Sequence, residues 1–501
     1  YGDHRDLHYP LRRQRQMCIR DRDYSYSVMG NSKIARENLA KEIKNGAVII
    51  HSGDIVYRNN DTWYPFRQDS NFYYLTEWPE PEAHAVILIK DSKYELHMFV
   101  QDRNEEMETW EGKRLGQSGA VEQFEAEKAY SYQDYRKILP NLLSGYQNVY
   151  CDYSSPNFEK YDKSLLTNAV PYDQRGADFS NATLYSLQPL ISELRLTKSD
   201  GEIQLLKEAC DITVAGHIHA MKITNPGSYE YQVAAEMEKV FYEMGAERLG
   251  YPSIVAGGHN ACILHYSTNR DLLDKGSLLL IDAAAEFGMY SSDVTRTFPV
   301  SGKFTSPQKA VYEEVLKVQK EGIEGVEIGN SMKNIHEQTI KSLSESLVNL
   351  GLVPLGVDET ISMMHFFEFF MHGTGHWLGL DVHDAGSNEK NGKPRAFEHG
   401  MVTTIEPGIY VRPTKSTIEF PLLERDPVQI RERRKLMGME KATKLEKEEI
   451  MNAKTVKHEI PTELLGIGVR IEDDIVCTDK GPVNLTEKAP KTIEEIEAAI
   501  A

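Results

Sequence analysis

Apolar and charged residues alternate with helical spacing from about Ser32 to Asn45, and Ala47-Val48-Ile49-Ile50 follows as an unbroken apolar run of strand length. Two more runs, Ala85-Val86-Ile87-Leu88-Ile89 and 94–100, flank Lys90-Asp91-Ser92-Lys93, a spacing that predicts a hairpin. α/β material continues to about Pro189. There 190–195 reads as a helix end, and Thr197-Lys198-Ser199-Asp200 as a break and a new N-cap, which places a domain boundary near residue 195. Beyond it the pattern predicts helices over 202–223 and 229–244 joined by Asn225-Pro226-Gly227, then strands over 278–285 and 289–300 around Glu286-Phe287-Gly288. Helices return at 307–321 and 332–350, and strands follow again. Helices then strands, twice over, is a weak internal repeat.

Two stretches break this order. Residues 413–464 are dense in Glu, Lys and Arg, and 430–453 predicts a charged helix or helical pair on a solvated excursion. Residues 1–28 start at Tyr1 and show neither apolar periodicity nor capping signals. Asp3, Asp6, Asp21 and Asp23 argue against a mitochondrial transit peptide, so this stretch is expected to be a non-native or disordered extension, with the biological start near Met29.

Composition narrows the function classes. With 40% apolar and 27% charged residues the chain is globular, and its length of 501 suggests two domains, here 29–194 and 195–501. A net charge of −19 repels polyanions, which disfavours nucleic acid and anionic membrane surfaces as partners. No run of about 18 apolar residues is present. Five scattered cysteines without CxxC spacing read as reduced thiols, which points to the cytoplasm.

The candidate chemistry is carboxylate chemistry. If the turn after Leu278 to Asp282 is centred between Phe287 and Gly288, Asp282 and Asp293 stand directly opposite on one face. Two buried like charges then require a cation, a shared proton or full solvation. A register slip by one residue would instead send one of them to water. Further candidates are Glu406 in Thr404-Ile405-Glu406-Pro407-Gly408, Glu472 in Val469-Arg470-Ile471-Glu472-Asp473-Asp474, and the imidazoles of the glycine-rich stretch from His372 to Asp384.

The ordered set Asp282, Asp293, His376, Glu406 and Glu472, in the contexts HGTGHWLGLDVHD, TIEPGIY and VRIEDD, resembles the metal signature of the superfamily of aminopeptidase P, prolidase and methionine aminopeptidase. The stretch FRQDSNFYYLT at 66–76 is similar to the N-terminal domain of aminopeptidase P, although Glu77 stands where that pattern has glycine. The resemblance implies an α/β (α+β) chain, with a pita-bread catalytic domain of pseudo-twofold repeat behind a smaller α/β domain. It further implies a metal-dependent exopeptidase that hydrolyses N-terminal Xaa-Pro bonds through a metal-bridging hydroxide.

Carried over residue by residue, the resemblance gives two divalent metal ions held by Asp282, Asp293, His376, Glu406 and Glu472, with Asp293 and Glu472 bridging. The oxygen-rich ligand set favours Mn²⁺, with Co²⁺, Zn²⁺ or Fe²⁺ as alternatives. His265 and His383 are implied near the reacting groups, Glu406 as acceptor of the water's proton, and His372 with Arg470 in the proline pocket. Trp110 is implied to reach a neighbouring subunit's site, which calls for a homodimer or homotetramer, and the partners are peptides with proline second. His365, Tyr410 and Trp377 read as structural. Prolidase, restricted to Xaa-Pro dipeptides, is the nearest alternative; a non-catalytic pita-bread binding protein would show lost ligands, and all five are present.

Overall fold

The computed structural model describes residues 31–166 and 182–501; the expected extension 1–28 lies outside the described residues. The chain divides into two compact units between Arg195 and Leu196.

In the first unit, α1 (Asn31–Ile43) leads into β1 (Gly46–His51), followed by β2 (His84–Lys90), β3 (Lys93–Val100), α2 (Glu105–Glu111), β4 (Lys128–Ser131), α3 (Tyr135–Leu143), β5 (Asn148–Cys151) and β6 (Thr183–Ser186). The sheet order is β4-β3-β2-β1-β5-β6. The expected hairpin forms between β2 and β3, with Lys90 opposite Lys93 and positive φ at Asp91 and Ser92. That pair of left-handed residues matches the right-handed twist of the strands. Ala47, Ile49, Val86, Leu88, Phe99, Leu139 and Val149 form the core on one side of the sheet.

In the FRQDSNFYYLT stretch, Asp69 accepts the Phe72 N–H at 2.8 Å and caps a short helix, Ser70–Thr76, while the buried Gln68 bonds the carbonyls of Trp78 and Glu80. Glu77 ends that helix at φ 53°, a left-handed position that glycine adopts without strain.

The second unit begins with α4 (Asp200–Ile223), whose N-cap Ser199 forms a reciprocal capping box with Glu202, and α5 (Glu230–Glu243). Next come β7 (Ile254–Gly257), β8 (Leu278–Asp282), β9 (Ala285–Phe287), β10 (Tyr290–Ser291) and β11 (Thr295–Pro299). They precede α6 (Ser306–Glu324) and α7 (Met332–Asn349), then β12 (Val402–Ile405), β13 (Gly408–Tyr410) and β14 (Thr417–Pro421). The chain closes with α8 (Pro427–Met437), α9 (Met439–Asn452), β15 (Thr455–Glu459), β16 (Gly468–Arg470), β17 (Asp473–Thr478) and β18 (Gly481–Asn484), before a last helix.

One core joins both halves of this unit: Met237 and Phe241 of α5, Leu279 and Ile281 of β8, Val311 and Val315 of α6, and Leu343 and Leu347 of α7 pack in a single cluster with Ile409 and Val469. The charged segment is a β14–β15 ribbon carrying the helical pair α8 and α9. Its base is not a solvated excursion, because Ile418, Phe420, Ile460 and Leu464 are buried in the same core.

The register of the acidic hairpin differs from expectation. Asp282 faces Thr295, not Asp293, and the turn falls at Gly288-Met289, both with positive φ. The partner has moved by two residues. A two-residue shift keeps side-chain parity, so Asp293 lies diagonal to Asp282 and still on its face. The ladder runs on through Ala283 N–H to Val294 O and Ser292 N–H to Ala285 O.

Candidate metal centre

A matching arrangement occurs in the second half. β12 pairs with β17, Ile405 opposite Asp473, and β13 with β16, Gly408 opposite Arg470. Both pairings share one register, so Glu406 and Glu472 fall at opposed positions in the gap between the two ladders. There each backbone turns elsewhere: Glu406 N–H donates to Thr374 O at 2.8 Å, and Glu472 N–H to Thr295 O at 3.1 Å. Each half of the unit thus contributes an acidic pair from an antiparallel ladder.

The histidine loop lies along β12, with Thr404 N–H donating to His376 O at 2.9 Å. Gly375 permits this approach, since a Cβ there would stand 1.9 Å from Thr404 O. The His376 Nδ1 is 3.0 Å from Trp377 O, a carbonyl that can only accept. Nδ1 therefore carries a proton, and Nε2 faces Asp293 Oδ2 at 3.3 Å and Glu406 Oε1 at 3.8 Å. Ligand atoms of Asp293, His376 and Glu472 all lie within 4.8 Å of one another.

Neutral and basic groups bind the cluster together. The Tyr251 hydroxyl is 2.5 Å from Oδ1 of both Asp282 and Asp293. Arg470 donates to Asp282 Oδ2 at 2.6 Å, to the Tyr410 hydroxyl at 3.0 Å and to Thr295 Oγ1 at 3.1 Å, and Thr295 in turn donates to Glu472 Oε2 at 2.6 Å. His372 donates from Nδ1 to Gly373 O at 2.8 Å, which leaves Nε2 to accept from Tyr410 at 2.8 Å. Its carboxylate neighbour is Glu406, whose Oε2 lies 3.6 Å from Nδ1.

The electrostatics show what these groups lack. Burial, with the Asp293 charge adding and His376 and Arg470 opposing, pushes Glu406 up to about 7. Burial raises Glu472 well above the carboxylate range, with Asp293, Glu406 and Asp282 adding, and it raises Asp282 even against Arg470. His376 moves up to about 9, because Asp293 and Glu406 outweigh the burial that opposes its charge. His372 is held down to about 3 by burial and by Arg470. Four carboxylates, Asp293 and Glu472 buried and Asp282 and Glu406 partly so, thus face one guanidinium and one imidazole, a donor set that fits a cation.

Among the other expected residues, His265 and His383 are exposed. The His383 ring lies 4.1 Å from that of His376, and His265 is close enough to lower both His372 and His383 electrostatically. His365 is buried and bonds Pro421 O, and Trp377 packs on Phe397. Tyr410, read as a packing residue, instead joins His372 to Arg470. Trp110, on α2 of the first unit, is 81% exposed. Tyr251 and Thr295 were not singled out from sequence; each sits in a segment whose pattern says only loop or strand.

A ladder-built cluster of acids and one imidazole on paired α/β halves has the donor set of a metal centre. The profile of metallopeptidase family M24 matches residues 204–479 and that of the aminopeptidase P N-terminal domain residues 33–150. The Xaa-Pro aminopeptidase of Haemophilus influenzae is 39% identical over 454 residues, covering 90% of this chain and 93% of that relative. That of Escherichia coli is 35% identical, covering 92% and 96%. The solved aminopeptidase PepP of Pseudomonas aeruginosa superposes with a TM-score of 0.82 at 35% identity, over 94% of this chain and 98% of that one.

The chain belongs to metallopeptidase family M24, in the branch that carries an aminopeptidase P N-terminal domain. It has the expected mixed α/β architecture and is a metal-dependent exopeptidase of the Xaa-Pro aminopeptidase kind. No helix among the described residues is long and apolar enough to cross a membrane.

Proposed function

We propose that the chain removes the N-terminal residue from peptides with proline in second place, using two divalent ions, Mn²⁺ first among them, held by Asp282, Asp293, His376, Glu406 and Glu472. The observation that carries this reading is the convergence of Asp293, His376 and Glu472 within 4.8 Å, with Glu406 and Asp282 alongside. Four carboxylates match the charge of two such cations. When bound, the ions polarise the scissile carbonyl and activate water.

The remaining work falls to the chain's own groups. Glu406 accepts the attacking water's proton, and the exposed His265 and His383 hold the reacting carbonyl and leaving nitrogen. Neutral His372, tied through Tyr410 to Arg470, forms the floor of the proline pocket. A proline nitrogen in the substrate carries no N–H, so ring shape decides recognition. Trp110 serves the site of a neighbouring subunit in a homodimer or homotetramer, in accord with its exposure here. Residues 29–194 and 195–501 are the two domains, and the protein works in the cytoplasm, in keeping with the free thiols of Cys151, Cys210, Cys262 and Cys477.

The test is turnover by Mn²⁺-loaded protein of an Xaa-Pro-Yaa tripeptide against an Xaa-Pro dipeptide. Cleavage of the tripeptide with release of the N-terminal residue is expected. Turnover confined to the dipeptide would make the chain a prolidase.

A further inference from the structure

A buried ion pair stands beneath the histidine loop. Lys198 Nζ is 2.8 Å from Asp384 Oδ2, and both side chains are 1% exposed. Lys198 sits one residue before the N-cap of α4, with its N–H bonded to Gly400 O. Asp384 directly follows His383 in sequence.

The loop from Trp377 to Asp384 contains no helix or strand of its own; only its start is fastened to β12, by the bridge of Trp377 to Thr403 and Leu378 N–H to Val402 O at 3.1 Å. It closes on itself through Asp384 N–H to Trp377 O at 2.9 Å and Gly379 N–H to Asp381 O at 3.1 Å. The Asp384 carboxylate completes the closure by accepting the Asp381 N–H at 3.3 Å. Gly379 makes room for it, since a Cβ there would lie 2.3 Å from Asp384 Oδ2 and 3.0 Å from Lys198 Cε. The loop is also tied to the ladder beside Asp293 by Ser291 N–H donating to Gly379 O at 3.0 Å.

A buried pair of this sort is a poor stabiliser, because desolvation offsets the attraction, whereas removing one partner strands a charge. What it supplies is a fixed geometry. We propose that Lys198 and Asp384 are positioning residues for the peptidase reaction: the pair locks the loop so that His383 stands against His376 at the metal centre. This rests on the proposed place of His383 beside the reacting groups.

The experiment compares Mn²⁺-loaded Lys198→Met, Asp384→Asn, Lys198→Met/Asp384→Leu, His383→Ala, and the double change combined with His383→Ala on an Xaa-Pro-Yaa tripeptide, with melting temperature and metal content measured for each. The double variant replaces the charges by an apolar pair and keeps a folded protein available if the single variants fail to fold. Expected for the double variant is a melting temperature within a few degrees of wild type, full metal content, and a kcat lower by about ten- to a hundredfold at little-changed KM, the loss that follows from a catalytic group displaced by about 1 Å. Its kcat loss should be nearly absent in a His383→Ala background, since both changes act through one ring. Normal kcat in the folded, metal-loaded double variant would overturn the positioning role. Normal kcat in His383→Ala would instead overturn the proposed place of His383.

Discussion

Each unit of this protein buries a cluster of histidine, tyrosine and carboxylate, and the two clusters are built to opposite ends. In the first unit Asp162 accepts from Tyr135 at 2.6 Å and from His51 Nε2 at 2.8 Å, and His51 Nδ1 meets His84 Nδ1 at 2.7 Å. Burial, with His51 and Lys160 adding, holds the His84 ring well below its usual range. Tyr132, Tyr135 and Tyr161 enclose the His84 ring. One carboxylate is matched by two donors, Tyr135 and His51. In the second unit four carboxylates share Tyr251, Arg470 and His376, and burial raises Asp282, Glu406 and Glu472. The same residue types make a closed structural network in one place and a socket in the other; the ratio of acids to donors decides which.

The strongest way to break this contrast is to remove an acid from each. Asp293→Ala or Glu472→Ala should lower kcat/KM by on the order of a thousandfold or more and abolish metal pairing, while the chelated variant melts no lower than chelated wild type, because a repulsive charge is gone. Asp162→Ala should do the reverse. It strands His51 and Tyr135 without an acceptor and should cost about 1–3 kcal/mol per buried donor, with activity per folded molecule retained. Kinetics, metal analysis and melting curves separate the two outcomes. A stable Asp162→Ala, or a metal-loaded and active Asp293→Ala, would erase the distinction.

Acidity should then move the units in opposite directions in metal-free protein. His84 is depressed, so its contribution is present above the unfolded value of 6.5 and is lost as pH falls below it. Glu406 is raised, so its contribution is present below 4.5 and is lost as pH rises toward about 7. His376, raised to about 9, continues that loss from 6.5 to about 9. Amide exchange read separately on β1–β2 and on β12–β17 should show the first pair opening faster at pH 5 than at pH 7, and the second faster at pH 8 than at pH 5. Mn²⁺ should protect β12–β17 at pH 8 and leave β1–β2 unchanged. Parallel pH responses in the two units would remove the contrast.

These differences also explain what could be read from the chain alone. The common face of Asp282 and Asp293 was legible, because a two-residue error in the partner of Asp282 leaves parity intact. The donors that make the socket were not. Tyr251 reaches Asp282 and Asp293 from a loop, and Thr295 reaches Glu472 from another strand, so neither contact has a periodic signature. Three adjacent acids show the limit most clearly. Glu472 enters the cluster, while Asp473 is brought down to about 2 by Arg296 and Lys491 against its burial. Asp474 takes the Asp293 N–H at 2.9 Å and the Cys210 thiol at 3.2 Å. Strand alternation cannot assign these three roles, because the ladder breaks at Glu472. The first unit's histidines lie in separate strands, His51 opposite His84, and a register was needed to join them.

Trp110→Ala gives a smaller and more selective effect. Because the indole is 81% exposed, truncation should change stability by no more than about 0.5 kcal/mol. A loss of kcat/KM on Xaa-Pro-Yaa peptides at full metal content would then place the first unit in the chemistry of a neighbouring subunit. Unchanged kinetics would leave that unit as scaffold alone.

The smallest expected effect tests whether the aminopeptidase P-like stretch of the first unit is wholly structural. Glu77 holds φ 53° at the end of the Ser70–Thr76 helix, where a residue with a Cβ costs about 1 kcal/mol relative to glycine. Its carboxylate also accepts the Ser32 hydroxyl at 2.9 Å, an interaction worth about 0.5–1.5 kcal/mol. Glu77→Gly removes both terms, so melting should shift by less than about 3 °C, while Ser32→Ala, which keeps the strain and loses the bond, should melt lower than Glu77→Gly. Neither change should alter kcat or metal content, because the bond fastens α1 to a helix end inside the first unit. If Glu77→Gly changed turnover without changing stability, this turn would belong to the substrate machinery, and the boundary drawn between a structural cluster and a catalytic one would have to move.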